Sequence, residues 1–261
     1  MSVSNGAIPT LLKRSPLDSQ RFGLEIYRGH IKAEDVPALW EDIAQSSVDI
    51  GIFRLPAHPI SAMRAYTGPR SQLIHADTLV YYEARLDASQ TPALQNAPSM
   101  YREARLTDSQ ELIDLVFRAF ATYENHYHAN PAFSHADILA GYGEWAAAHL
   151  YGVEQYRAWV ATGPDGLTGF MCCSLNAEKS EAEIVLNGVS PEHARKGIYS
   201  DLLRIAKKHF ASMGLERIRV STQVGNYTVQ RAWVREGFCM VEAFDTWHVN
   251  AFLTHKSLVS K

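Results

Sequence analysis

Cysteine is nearly absent: three residues in 261, Cys172, Cys173 and Cys239. Successive residues on a strand point to opposite faces, so no disulfide is expected between the adjacent pair. The spacing fits neither a disulfide framework nor a zinc site, and no metal is expected. No apolar run approaches the ~20 residues that a membrane-spanning helix needs. The stretch Met1–Pro16 lacks the apolar core of a secretory leader. Lysine and arginine form no tracts and the formal net charge is −3, so a global basic field for nucleic acid is missing. Low-complexity tracts and solenoid repeats are missing too. What is left is an ordinary globular composition, 46% apolar and 20% charged, expected in the cytoplasm without nucleic-acid or membrane partners.

The polar stretch Ala88–Ser99, with two prolines, divides the chain. The expected organisation is a small N-terminal α/β unit over 1–87, a linker over 88–98, and a larger α/β domain over 99–261. In the first part, residues 23–28, 48–55 and 73–86 have strand composition. Helices are expected between them, near Ala33–Ala44 and Ile60–Tyr66.

In the second part a short strand from Met100 leads to Thr107–Gln110, which has the pattern of a capping box. Leu112, Val116 and Phe120 follow at helical spacing. An aromatic, histidine-rich stretch, Tyr123–Pro131, precedes another helix ending near Leu150. Two strands flank the turn Gly163–Gly166, and a further strand runs from Ala182 to Val189. An amphipathic helix over Tyr199–Met213, a strand over Glu216–Gln223, a helix over Thr228–Glu236 and a final strand complete the pattern.

Chemistry concentrates where the strand ending at Val189 enters the loop Arg195-Lys196-Gly197-Ile198-Tyr199-Ser200. Successive backbone N–H groups at such a turn, joined to a helix N-terminus, suit a pyrophosphate. Gly197 lets a ligand approach the backbone closely. The plain alternative is a surface turn with solvated cations. A second block, Thr222-Gln223-Val224-Gly225-Asn226-Tyr227, leads to Gly237-Phe238. Here Asn226 also reads as an ordinary helix N-cap.

The order of elements and these two blocks, over roughly Ser99–Asn250, resemble the GNAT superfamily of acyl-CoA N-acyltransferases. The family's loop pattern is Gln/Arg-x-x-Gly-x-Gly/Ala. Ala194 to Tyr199 stand in those places, and Gly197 alone matches strictly. The resemblance implies a mixed sheet flanked by helices, the N-terminal unit being similar to a partial copy of the same fold. It implies acetyl-CoA or another acyl-CoA as co-substrate, bound by Val189, Arg195 to Ser200 and Asn226.

A more specific resemblance, to acetyltransferases of nucleotide-linked amino sugars such as dTDP-fucosamine acetyltransferase, rests on Asp18-Ser19-Gln20-Arg21-Phe22-Gly23 and on Thr222–Asn226. It implies a nucleotide-linked amino sugar as acceptor, with a place in lipopolysaccharide biosynthesis. Another small amine, or a non-catalytic acyl-CoA-binding module, stays open, as does a homodimer. The sugar enzymes carry a tyrosine, proposed as general acid, where this chain has Trp233, which reads as core.

Glu183, in a Glu-Ile-Val context similar to that of histone-type members, is the expected base. It is taken to lie just before the strand's cofactor-facing end, with a pKa raised by desolvation. Asn226 and Tyr227 complete the catalytic set, and Tyr199 is a further hydroxyl for the leaving thiolate. For the acceptor, His126, Tyr127, His128, Asn187 and His248 are the candidates. Rings could stack on a base, and protonated histidines beside a diphosphate would release it as pH rises through about 6.5. A structured loop around His126–His128 and a satisfied core histidine at His248 are the plain alternatives.

Overall fold

The computed structural model describes residues 10–57, 72–176, 178 and 180–251. The helix expected near Ile60–Tyr66 lies outside them. The chain divides into two compact units. One takes the described residues up to Leu79, Asn125–Asp137 and those from Glu242 onward; the other takes Val80–Glu124 and Ile138–Val241.

The first unit begins with β1 (Lys13–Arg14), α1 (Pro16–Phe22), β2 (Ile26–His30), α2 (Val36–Gln45) and β3 (Ile50–Pro56). The strand β4 (Gln72–Arg85) begins in it and ends in the second unit. α2 forms because Val36, Leu39 and Ile43 fall on one face and are buried, with a proline in its first turn. It connects β2 to β3, which run parallel in register Ile26↔Ile50. Leu12, Phe53, Leu55 and Val249 join the α2 face in one apolar core.

The helix α1 was not expected from the sequence. Pro16 opens it and Gly23, at φ 65°, closes it. It is held by tertiary partners: Asp18 pairs with Arg28, and Ser19 Oγ accepts from Ile26 N–H.

The second unit contains β5 (Tyr101–Glu103), α3 (Ser109–Phe120), most of α4 (His135–Ala148), β6 (Tyr156–Gly163), β7 (Gly166–Asn176), β8 (Glu181–Val189), α5 (Ile198–Ser212), β9 (Arg217–Gln223) and α6 (Tyr227–Arg235). The last strand, β10 (Cys239–Asn250), returns to the first unit, where it pairs antiparallel with β3. In the second unit the strand order is β9-β8-β7-β6-β5. β8 and β9 are parallel and the other pairs antiparallel. This is the mixed α/β architecture expected, with helices on both faces of the sheet.

The two faces follow from strand alternation. Val160, Phe170, Cys172 and Leu186 pack with Leu112, Leu115, Val116 and Phe120 of α3. Trp159 and Gly169 face α5, meeting Phe210 and Ile198. Each fully buried Leu or Val contributes about 1.5–3 kcal/mol, enough to fix α3 as an amphipathic helix. The expected capping box at Thr107 does not form. Instead Asp108 reaches back to accept from Arg105 N–H at 2.7 Å and from Arg102 at 2.6 Å. Cys172 and Cys173 are buried free thiols, and burial pushes Cys172 up to about 12.

Candidate functional site

The parallel ladder between β8 and β9 runs from Glu181↔Arg217 to Ile184↔Val220 and, among the described residues, goes no further. Both strands continue, β8 to Val189 and β9 to Gln223. Beyond Ile184 they therefore splay, leaving two facing edges of backbone N–H and C=O groups outside the ladder. A polar chain with amides can satisfy such edges as a third strand would. The splay starts at a β-bulge: Cys172 opposes Leu186 while Cys173 opposes Ile184, so Val185 is the extra residue.

At the end of β8 the backbone turns through 191–193 and becomes left-handed at Arg195 (φ 64°) and again at Gly197 (φ 80°). For arginine this conformation is strained. Gly197 stands at the N-cap of α5, and Asp201 N–H makes the first helical bond, to Gly197 O at 3.0 Å. The N–H groups of Ile198, Tyr199 and Ser200 precede that bond, as in any helix first turn. With the exposed Arg195 and Lys196, they make a nest of the kind that suits an anion, at the open end of the splay. The space that a Cβ of Gly197 would fill belongs to Gln95, whose Oε1 lies 2.6 Å from it. Close approach at Gly197 is thus used by the chain itself.

The side chains around the splay answer some expectations and correct others. Trp233 is 1% exposed, a core residue as expected, but its Nε1–H donates to the Tyr199 hydroxyl at 2.8 Å. Burial holds the Tyr199 hydroxyl well above the usual phenol value, and neighbouring Tyr123 adds to this. Tyr199 therefore stays protonated, its oxygen fixed by the indole and its own proton left to donate. Tyr227, preferred from the sequence, is 65% exposed at the start of α6 and less suited to a sheltered proton transfer. Tyr123 was not singled out by sequence reasoning; its hydroxyl donates to Gln223 Oε1 at the end of β9.

Asn226 occupies the N-cap position of α6, yet its side chain does not cap the helix. Its Nδ2 donates to Thr222 Oγ1 at 3.1 Å, which leaves Oδ1 for a ligand. Glu183 is half-buried opposite Ser174, on the α3 face. It does not lie just before the cofactor-facing end of the strand. Val189 is six positions further along the strand, about 20 Å at the rise of a strand. Asn187, beyond the bulge, faces the α5 side.

In the first unit, His126, Tyr127 and His248 form one buried polar network rather than an open loop. His126 Nδ1 and His248 Nε2 are 2.9 Å apart, and Asn130 Nδ2 meets His248 Nδ1 at 3.2 Å. Tyr127 accepts from Arg28 at 2.8 Å and donates to Asp18 at 3.0 Å. Its ring packs on Phe22 and Phe133. Burial, then the charge of Arg28, lowers His126 well below its ordinary value and His248 to about 3. Neutral buried histidines cannot act as protonated contacts to a diphosphate, which corrects that expectation for both. His128 is half-buried and tied to Asn125 and His135.

A groove of about 1040 Å³ lies elsewhere in the second unit, beside the C-terminal half of α5, with Glu83, Arg85, Lys207, Arg235 and Cys239 in its walls. It includes none of the loop residues, so volume alone does not locate the chemistry. Among the described residues no group of three or more His, Cys, Asp or Glu is placed to hold a metal ion. No described helix is long and apolar enough to cross a membrane.

Residues 117–238, which span the bulge, the splay and the nest, match the acetyltransferase (GNAT) family. No curated protein matches the chain by sequence. Among solved structures, an acetyltransferase of the GNAT family from Novosphingobium aromaticivorans is similar at TM-score 0.53 and 16% identity, over 84% of this chain and 80% of its own. A functionally unknown conserved protein of Staphylococcus epidermidis is similar at TM-score 0.55 and 14% identity, over 95% and 94%. A GCN5-related N-acetyltransferase from Kribbella flavida follows at 0.53 and 12%, over 87% and 81%. At these identities the structures speak for the fold, and the sequence match carries the activity class. Residues 117–238 thus have the sequence pattern of an acetyltransferase (GNAT) domain, and that match supports an acyl-CoA-dependent N-acetyltransferase.

Proposed function

We propose that the protein transfers an acetyl group from acetyl-CoA to the primary amine of a nucleotide-linked amino sugar in the cytoplasm. The observation that carries the transfer reading is the β8–β9 splay opening onto the nest at Gly197. In this reading the nest N–H groups bind the diphosphate, and the free strand edges and Asn226 Oδ1 receive the amides of the pantetheine arm. The thioester then lies within the splay, between Glu183 and the Tyr199 hydroxyl. The amine nitrogen attacks the thioester carbonyl carbon as Glu183 takes its proton, and the C–S bond breaks. The departing sulfur takes the Tyr199 proton, and proton exchange with water returns both groups to their starting states. Each such proton transfer is worth about 10²–10⁴ in rate.

The acceptor class is supported by the sequence resemblance over Asp18–Gly23 and Thr222–Asn226. In this chain the first of these stretches builds α1 and anchors Tyr127, so its resemblance speaks to architecture as much as to acceptor chemistry. The test is release of free CoA thiol with acetyl-CoA and a panel of dTDP- and UDP-linked amino sugars, set against simple amines and amino acids. Turnover confined to the simple amines would replace the acceptor and keep the transfer. Tight acetyl-CoA binding with no turnover on any amine would favour a binding module.

A further inference from the structure

The stretch Ala88–Pro98, read from the sequence as a linker, includes a strap laid against the cofactor loop. Asp201, in the first turn of α5 and fully buried, is its anchor. Its carboxylate accepts from Gln95 N–H at 2.8 Å, Asn96 N–H at 2.9 Å, Asn96 Nδ2 at 3.0 Å and the Tyr101 hydroxyl at 2.8 Å. Burial alone would raise this carboxyl, but the donors outweigh it and hold it below the ordinary value. A buried carboxylate with this many donors is a rigid post, because losing any one of them leaves charge uncompensated.

From that post, Asn96 Nδ2 also donates to the carbonyl of Lys196 at 3.0 Å. A peptide group is planar and trans, so its C=O and the next N–H point in opposite directions. Fixing the Lys196 carbonyl toward the strap therefore fixes the Gly197 N–H away from it. The other side of the residue is held as well, since Gly197 O accepts the first helical bond from Asp201 N–H. Gly197 is thus clamped on both flanking peptides, while Gln95 covers its Cα.

We propose that Asn96, held by Asp201, is a positioning residue for the cofactor: it locks the Lys196–Gly197 peptide so that the Gly197 N–H points into the nest before any diphosphate arrives. The inference rests on the reading of that nest as the diphosphate site. Preorganisation of this kind acts on binding, because the ordering cost is met during folding. In that reading Asn96 touches neither the thioester nor the acceptor amine, so the turnover number should not feel it.

The experiment is calorimetry with CoA and with 3′-dephospho-CoA, plus steady-state kinetics, on Asn96→Leu and Gly197→Asp. Leucine keeps the branched shape of asparagine and removes the donor. For Asn96→Leu the expected result is affinity for both ligands weaker by about 3- to 10-fold, the equivalent of one net hydrogen bond. KM for acetyl-CoA should rise to match with kcat unchanged, while the thermal midpoint falls modestly because Asp201 loses one of its donors. Asn96→Ala, which removes the donor without adding an apolar group, should show the same split if leucine disturbs folding. Wild-type affinity in both Asn96 variants, alongside lost binding in Gly197→Asp, would overturn the positioning role and leave the nest reading intact. Unchanged binding in folded Gly197→Asp would overturn both. A fall in kcat and thermal midpoint without a change in affinity would mark the strap as a stability element and overturn the proposal.

Discussion

Lowering the pH from 7 to 5 should destabilise the fold by about 2 kcal/mol through His248 alone. The ring is fully buried; Asn130 Nδ2 donates to its Nδ1, which leaves its Nε2 to donate to His126 Nδ1. Both rings are then neutral, and a further proton on either accepting nitrogen would break the chain. His248 sits at about 3 in the fold, against about 6.5 when unfolded. Its folded value is depressed, so below pH 6.5 the unfolded chain binds more protons, and stability falls until the pH reaches the folded value. Above pH 6.5 the group has no effect. His126 is lowered for the same first reason, burial, and acts in the same direction.

Urea unfolding at pH 8, 7, 6 and 5, read by tryptophan fluorescence and circular dichroism, measures the slope. His248→Gln removes one titration and should flatten it by up to about 1.4 kcal/mol per pH unit below 6, whatever it costs at pH 8. Equal slopes for wild type and variant would refute the buried neutral pair.

Four further outcomes follow from the site. Glu183→Gln should lower kcat by about 10²–10⁴-fold with acetyl-CoA affinity little changed, and near-normal turnover would remove it as base. Tyr199→Phe should cost about 10²-fold or more in kcat, while Tyr227→Phe should be near wild type; the reverse order would return the proton donor to Tyr227. Because the Tyr199 hydroxyl is held well above the usual phenol value, kcat should show no alkaline loss at pH 9–10, where an ordinary tyrosine titrates; such a loss, abolished in Tyr199→Phe, would contradict the assignment of its state. Trp233→Phe, which keeps an aromatic ring but drops the N–H, should lower kcat several-fold without changing acetyl-CoA KM, and an unchanged kcat would show that the indole does not orient Tyr199.

Much of the second unit was legible because its signals are local. Periodic Leu202, Leu203, Ala206 and Phe210 ended by Gly214 define α5, and the turn Gly163–Gly166 defines the hairpin of β6 and β7. Gly197 marked the loop because a left-handed residue there favours glycine. The splay was not legible, since residues on either side of the bulge are extended and share strand composition. Nor were contacts between distant positions: Tyr199 and Trp233 are 34 residues apart, Asn96 and Asp201 105, and His126 and His248 122. The helix α1 escaped because its seven residues carry too little apolar periodicity and depend on Arg28 and Tyr127 for Asp18. The histidine-rich stretch looked like a binding loop on composition, and burial, which composition does not report, made it a packed network.

A crystal structure with acetyl-CoA bound tests the central claim most directly. The account predicts the diphosphate on the N–H groups of Gly197 to Ser200, the pantetheine amides bonded to the free edges of β8 and β9, and the sulfur within hydrogen-bonding reach of the Tyr199 hydroxyl. Acetyl-CoA found instead in the groove beside Lys207 and Cys239, with the splay and nest untouched, would contradict it.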